Sequence, residues 1–200
     1  MDNKQEFLIK LHENLLDKYV DTDKYEIITE ILNEIEDLLP SSHVEDVLKF
    51  HKAFHHPIGD YPVIENSVED LQNKDISKNR IKFIQEEIDE YKTAIKQNNT
   101  IEVIDALVDI LYFTYGTLII HGLHTKLDEC FNEIHKSNMS KLCYTIEEVN
   151  RTIDFYNNQK IDCIYNKHDN YYVVMNKETK KILKSINYCP PNLYSILIEN

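Results

Sequence analysis

Two groups of carboxylates fall where carboxylates are costly. Residues 77–96 have a helical repeat of apolar positions, Ile81, Ile84, Ile88, Tyr91 and Ile95. Beside that stripe, Phe83, Glu87, Glu90 and Ala94 follow i, i+4, i+7, i+11 and share one face. In the next segment Glu102, Asp105 and Asp109 follow i, i+3, i+7 and share another. Asp109 stands inside the run Ala106-Leu107-Val108-Asp109-Ile110-Leu111-Tyr112-Phe113. A bare carboxylate buried there costs several kcal/mol unless it is paired or coordinated. The stripes contain no Lys or Arg, so facing acids would repel. Hard divalent cations resolve that repulsion, and an all-oxygen donor set suits Mg²⁺, with Mn²⁺ as a substitute. The plainer reading is surface acids on a two-sided helix, and Asp109 weighs against it. A di-iron bundle is a second rival, but it uses Glu-x-x-His pairs, and no Glu here has His three residues later.

The elements that must position these acids are helices. Asn98-Asn99-Thr100 is a turn after the 77–96 helix, with Asn99 a cap for the next helix and Glu102 three residues on. That helix spans Ile101 to His121, is apolar around most of its circumference and is expected to be buried. Gly122 ends it. A turn this short makes the two helices antiparallel neighbours, so their acidic stripes can face each other. Upstream, residues 5–19 and 24–39 read as amphipathic helices, the second stopped by Pro40. Ser42 and Glu45 form a capping box for a helix to about His55, and residues 56–66 form a loop. Downstream, Thr125 caps a helix to about Asn138, and Thr145 with Glu148 caps one to about Asn157. Strands are expected at Ile161–Tyr165, Tyr171–Met175 and Lys181–Ile186, with a last helical turn after Pro190-Pro191. The fold class is mainly α, a helical bundle with a small C-terminal α+β appendage. The expected division is 1–42, an N-terminal helical extension, 43–142, the core, and 143–200, the appendage.

Composition narrows the chemistry. The 200 residues hold 22 Lys and Arg against 35 Asp and Glu, a net charge of −13. That disfavours a nucleic-acid surface, which needs clustered cations. Three glycines are too few and too scattered for a P-loop or a dinucleotide fingerprint. The four cysteines form no CxxC, so neither a zinc site nor a disulfide framework is expected. The first residues are polar, and the longest apolar stretch, Ala106 to Ile120, is short for a membrane span and contains Asp109. A cytoplasmic location without a membrane partner is the expectation.

These residues also carry a resemblance. Glu86-Glu87-Ile88-Asp89-Glu90 resembles the EExxE motif of the all-α NTP pyrophosphohydrolases, the MazG-like superfamily. Asp105 through Tyr112 resembles its second motif, which ends in Asp-(Ile/Leu)-Leu-Tyr. Continuation through Phe113-Thr114-Tyr115-Gly116 and Gly122 is similar to the phosphoribosyl-ATP pyrophosphohydrolase-like branch. So are His135-Lys136-Ser137-Asn138-Met139-Ser140-Lys141 and the upstream Val47 to Phe54 with Pro57 and Pro62. The tail from Tyr172 to Pro191 resembles one found on some members. The likeness covers about residues 44–196. It departs at Ala106, where many members carry Glu; Asp105 and Glu102 are the available substitutes.

The resemblance implies an all-α NTP pyrophosphatase bundle that hydrolyses a nucleoside triphosphate between the α and β phosphates, giving monophosphate and pyrophosphate. It implies Mg²⁺ held by Glu87, Glu90, Asp105 and Asp109, with Glu102 a further candidate ligand. Glu86, beside Glu87, would orient or deprotonate the attacking water or act as an outer ligand. Lys136, Asn138, Lys141 and Arg80 are candidates to meet the triphosphate, although Lys136 and Lys141 would equally complement a helix C-terminus. Members act as homodimers or homotetramers, which suits the apolar 101–121 helix. A phosphoribosyl-ATP or dUTP-type hydrolase on the same scaffold is one alternative. A non-catalytic helical regulator that binds nucleotide or a partner is the other.

Overall fold

The computed structural model describes residues 42–62 and 71–198, together with Lys10, Asn14, Leu15, Lys18 and Ile27–Thr29, which are helical. The rest of the helices expected over 5–19 and 24–39, and the end of the 56–66 loop, lie outside the described residues. By their contacts the residues form two compact units, 1–124 and 125–200.

In the first unit, α1 (His43–Ala53) begins on the expected capping box. Ser42 N donates to Glu45 Oε2 at 2.8 Å, and Glu45 N donates to Ser42 Oγ at 3.4 Å. Helix α2 (Leu71–Gln97) starts six residues earlier than its apolar repeat suggests, and α3 spans Thr100–Ile120. The side chain of Asn99 accepts from the N–H of Ile101 and of Glu102, as its position predicts. Asn98 takes φ 51°, a left-handed turn that asparagine tolerates. The chain thereby reverses within two residues and α2 packs antiparallel on α3. Phe83 stacks on Phe113 with ring centres 5.2 Å apart, which sets the register. Each step forward on α2 is a step back on α3, so Glu87 comes level with Asp109, Glu90 with Ala106, and Arg80 with Gly116. Ala94 and Ala106 are buried, small residues that let two helix backbones approach.

Burial of α3 is less complete than its composition predicts. Only Ala106, Gly116 and Ile119 are buried. Ile101, Ile104, Val108 and Leu111 are 49–75% exposed. Helices α1 and α2 pack against α3 and leave this stripe uncovered.

The loop after α1 closes onto the end of α3. Gly59 N donates to Ile119 O at 2.9 Å, and Gly122 ends α3 with φ +65°. A Cβ on Gly122 would run into the backbone of Tyr61. Gly122→Ala therefore meets both an unfavourable φ and a backbone overlap. We expect it to cost about 2–4 kcal/mol, read as a lower urea midpoint at unchanged slope.

In the second unit, α4 (Leu127–Met139) follows the 3-10 turn His124–Lys126. Thr125 lies inside that turn, so Lys126 occupies the N-cap and makes no side-chain cap bond, contrary to the expected Thr125 cap. Helix α5 (Ile146–Asn157) is capped by Thr145 as expected. Glu148 answers to Tyr144 N at 2.6 Å, one residue upstream of a standard box. Strands β1 (Cys163–Lys167) and β2 (Tyr172–Asn176) pair antiparallel, with Tyr165 opposite Val174. No third strand forms at 181–186; only Met175 and Ile182 make an isolated bridge. The backbone leaves the sheet because Ser185 Oγ donates to Ser140 O at 2.7 Å and Ile186 N donates to Thr152 Oγ1 at 3.0 Å. Pro190-Pro191 then precedes α6 (Leu193–Ile198).

Cys143, Val149 and Val174 form the buried centre of this unit, with Ile153, Cys163, Tyr172 and Leu183 against it. All four cysteines are free thiols. Thr152 is fully buried, and its hydroxyl also touches Cys143 Sγ at 3.6 Å. Thr152→Val keeps the shape but strands the Ile186 N–H. We expect it to lower stability by about 1–3 kcal/mol, measured as a drop in melting temperature.

Candidate active site

Helices α2 and α3 bring the carboxylates of their two stripes into one field. At the centre is Glu87, partly buried, with Oε2 withdrawn from solvent and without a hydrogen-bond partner. Burial, and then Glu90, Asp109, Asp105 and Glu86, push its carboxyl above the ordinary value. Those five acids therefore share one field: Glu87, Glu90, Asp105 and Asp109 from the two spaced stripes, and Glu86 beside them. Asp109 is half-buried level with Glu87, while Glu90 and Asp105 are exposed. Glu86 is exposed too, and Lys82 Nζ lies 3.4 Å from it, an exposed pair that contributes little.

Glu102 is placed differently. It lines an open groove with Glu86, Asp89, Glu90, Thr93, Ala94 and Gln97, and it is not among the charges that act on Glu87. Ala106 is a buried packing position level with Glu90. Of the two substitutes for an acid there, Asp105 is the one in the field of Glu87.

Arg80 projects from α2 two turns before Glu87. It is half-buried, and its guanidinium is pushed below its ordinary value by burial. It lies against Gly116 of α3, where His51 of α1 also arrives. Only the glycine in the middle of an apolar helix hinted at this in the sequence, since such a glycine marks a close approach. His51, with His55 at i, i+4, reads in the sequence as a packing or capping residue rather than a metal ligand, and His124 gives no signal there.

Lys136, Asn138 and Lys141 belong to the second unit. Lys136 is exposed and lies 3.7 Å from Glu133. Lys141 Nζ donates to Asn138 Oδ1 at 2.7 Å. Between them the motif serines hold the tail. Ser137 Oγ lies 3.3 Å from Tyr188 OH, and Ser140 Oγ accepts from Cys189 N at 3.0 Å. The C-terminal end of α4 is thus tied down by residues 185–189.

Whether a metal fits turns on Glu87. Its orphaned oxygen, crowded by four carboxylates, is a group that a hard cation would satisfy. Among the described residues no three His, Cys, Asp or Glu side chains stand close enough to hold a metal as they are. Mutual repulsion spreads acids in the absence of a counter-charge, so the donor set fits in chemistry and requires side-chain closure.

Residues 47–138 match the family model of phosphoribosyl-ATP pyrophosphohydrolase. This segment is similar to that family. The match runs from α1 into α4 and contains Arg80, all the carboxylates above, and Lys136 and Asn138. The phosphoribosyl-ATP pyrophosphohydrolase family lies within the MazG-like all-α NTP pyrophosphohydrolase superfamily, so the segment is similar to hydrolases of pyrophosphate bonds. An uncharacterized protein of Acanthamoeba polyphaga mimivirus is 24% identical, over 78% of this chain and 96% of its own length. The chain thus resembles that relative well beyond the family segment.

Proposed function

We propose that the protein is a Mg²⁺-dependent nucleoside triphosphate pyrophosphohydrolase that releases a nucleoside monophosphate and pyrophosphate, in nucleotide-pool sanitation or control. The observation that carries this reading is Glu87, with one carboxylate oxygen buried and unpartnered among four other acids on the family's scaffold. Glu87, Glu90, Asp105 and Asp109 would hold the metal. When bound, Mg²⁺ neutralises charge on the phosphate oxygens and lowers the pKa of water. Glu86, beside this set, orients the attacking water and takes up its proton. Arg80 meets the phosphates from the same helix pair, and Lys136, Asn138 and Lys141 of the second unit are the further candidates for phosphate contact.

The protein in this reading is a homo-oligomer. The uncovered stripe Ile101, Ile104, Val108 and Leu111 supports a second copy as its occupant, because an isologous pairing sets each apolar stripe on its twin. Helix α3 has the length and apolarity of a membrane span. Glu102, Asp105 and Asp109 on it weigh against lipid, where a central Asp costs about 2.5–3.5 kcal/mol.

The test is product analysis by phosphorus NMR over a panel of NTPs and dNTPs, with Mg²⁺ and with EDTA. Monophosphate plus pyrophosphate, lost in EDTA, is the expected result, and the panel ranks the bases. Orthophosphate plus diphosphate would mean cleavage of a different bond. No turnover of any nucleotide, phosphoribosyl-ATP included, would make the protein a non-catalytic binder.

A further inference from the structure

The α2–α3 seam changes sign along its length. Its acidic end is at the level of Glu87 and Asp109. Seven residues away on each helix, about 10 Å at about 1.5 Å per residue, is the level of Arg80 and Gly116. A Cβ on Gly116 would stand 3.0 Å from His51 Nε2 and 3.2 Å from an Arg80 guanidinium nitrogen. Glycine thus leaves a cradle that two nitrogen-bearing side chains share. His51 is only 2% exposed, and its Nδ1 lies 3.0 Å from Pro57 O. Because Nδ1–H donates to that carbonyl, Nε2 is the ring's free edge. The ring centre of His56 is 5.4 Å away. His124 Nδ1 is buried without a partner.

Burial pushes both His51 and His124 below the ordinary imidazole value, and the neighbouring Arg80, His56 and His124 push His51 the same way. Among the described residues Arg80 has no acidic partner within ion-pair distance, although it is half-buried and burial pushes its guanidinium below the ordinary value. A partly desolvated guanidinium with no counter-ion among the described residues, beside two imidazoles that burial holds toward the neutral form, is a cationic donor in a chain of net charge −13.

We propose that Arg80, His51 and His124 form an anion site that takes the terminal phosphate of the substrate, so that pyrophosphate is held at this end of the seam. This assignment of the anion rests on the hydrolase reading above. A triphosphate with its inner phosphates at the carboxylate end, where bound cations would neutralise them, would reach past the exposed edge of the Phe83–Phe113 pair to bring its outer phosphate to the guanidinium. Arg80 offers a planar fork of donors matched to phosphate. The anion favours the imidazolium form of His51, in which Nε2–H donates while Nδ1–H keeps Pro57. Gly116 provides the clearance for both.

The test is titration of the full chain with inorganic phosphate in EDTA, followed through the histidine ring resonances. His51 and His124 are expected to shift saturably, and His168 of the second unit to stay still. Arg80→Gln is expected to weaken phosphate about ten- to a hundredfold. Arg80→Lys, which keeps stem and charge, is expected to weaken it less and controls for folding. No saturable shift in the wild type, or equal affinity in Arg80→Gln, would overturn the site. Product inhibition separates the two readings. Hydrolysis whose inhibition by pyrophosphate is unchanged in Arg80→Gln overturns this inference and leaves the hydrolase. Phosphate binding lost in Arg80→Gln, with no nucleotide turned over by the wild type, supports the anion site and overturns the hydrolase.

Discussion

Glu87→Gln is expected to lower kcat for nucleotide hydrolysis by more than about a hundredfold while the protein stays folded. Outer-shell partners of a metal are already worth about 10- to 100-fold, and Glu87 is placed at the centre of the acidic group. The amide keeps the shape and removes the charge, so a structural role alone would leave activity largely intact. Steady-state rates over a Mg²⁺ titration check this, and wild-type activity in the variant would sink the metal assignment. The same substitution has an opposite effect on the metal-free protein. Its carboxyl is raised above the ordinary 4.5 by burial and by its acidic neighbours. From about that unfolded value up to the raised folded one, the native state binds more protons than the unfolded chain. Stability in EDTA therefore falls as pH rises through this window and recovers on acidification. Glu87→Gln is expected to flatten that dependence and to raise the melting temperature at neutral pH in EDTA. Thermal melts between pH 4.5 and 8 measure it, and a wild-type curve that rises with pH across the window would contradict it.

Ile104→Lys combined with Leu111→Lys is expected to convert an oligomer into a monomer. Both side chains are more than half exposed, one on each side of Val108 along α3. Burying such a side chain against a twin is worth about 1.5 kcal/mol or more. In an isologous interface each substitution counts twice. Two substitutions then remove about 6 kcal/mol, a shift on the order of 10⁴ in the dissociation constant, before charge repulsion is added. Sedimentation across a hundredfold range of concentration reads the change. A wild type that is monomeric throughout, and that pellets with neutral vesicles, would assign the stripe to lipid. A double variant that keeps the wild-type assembly would move the interface elsewhere.

Much of the fold was legible because its determinants are local. The Ser42–Glu45 box, the Asn99 cap and the Gly122 stop each depend on groups within a few residues, and each forms. The Thr125 cap and the third strand do not form. A 3-10 turn takes up Thr125, and Ser185 and Ile186 bond to residues 45 and 34 positions away. Such distant partners leave no periodic trace.

By itself, the sequence determined which carboxylates share a helix face, and on which helices. A stripe follows from spacing along one helix, and two stripes on antiparallel helices meet. Only the tertiary structure decided how those residues divide. The facing of Phe83 and Phe113 sets a register that joins Asp105 and Asp109 to Glu87 and leaves Glu102 outside that field, in a groove it shares with Glu86 and Glu90. That register also brings Arg80 to Gly116, where His51 arrives from a third helix. Exposure of α3 was likewise beyond the sequence. An apolar helix declares that it needs cover; which faces its own chain covers depends on how many helices reach it, a property of packing rather than of any one segment.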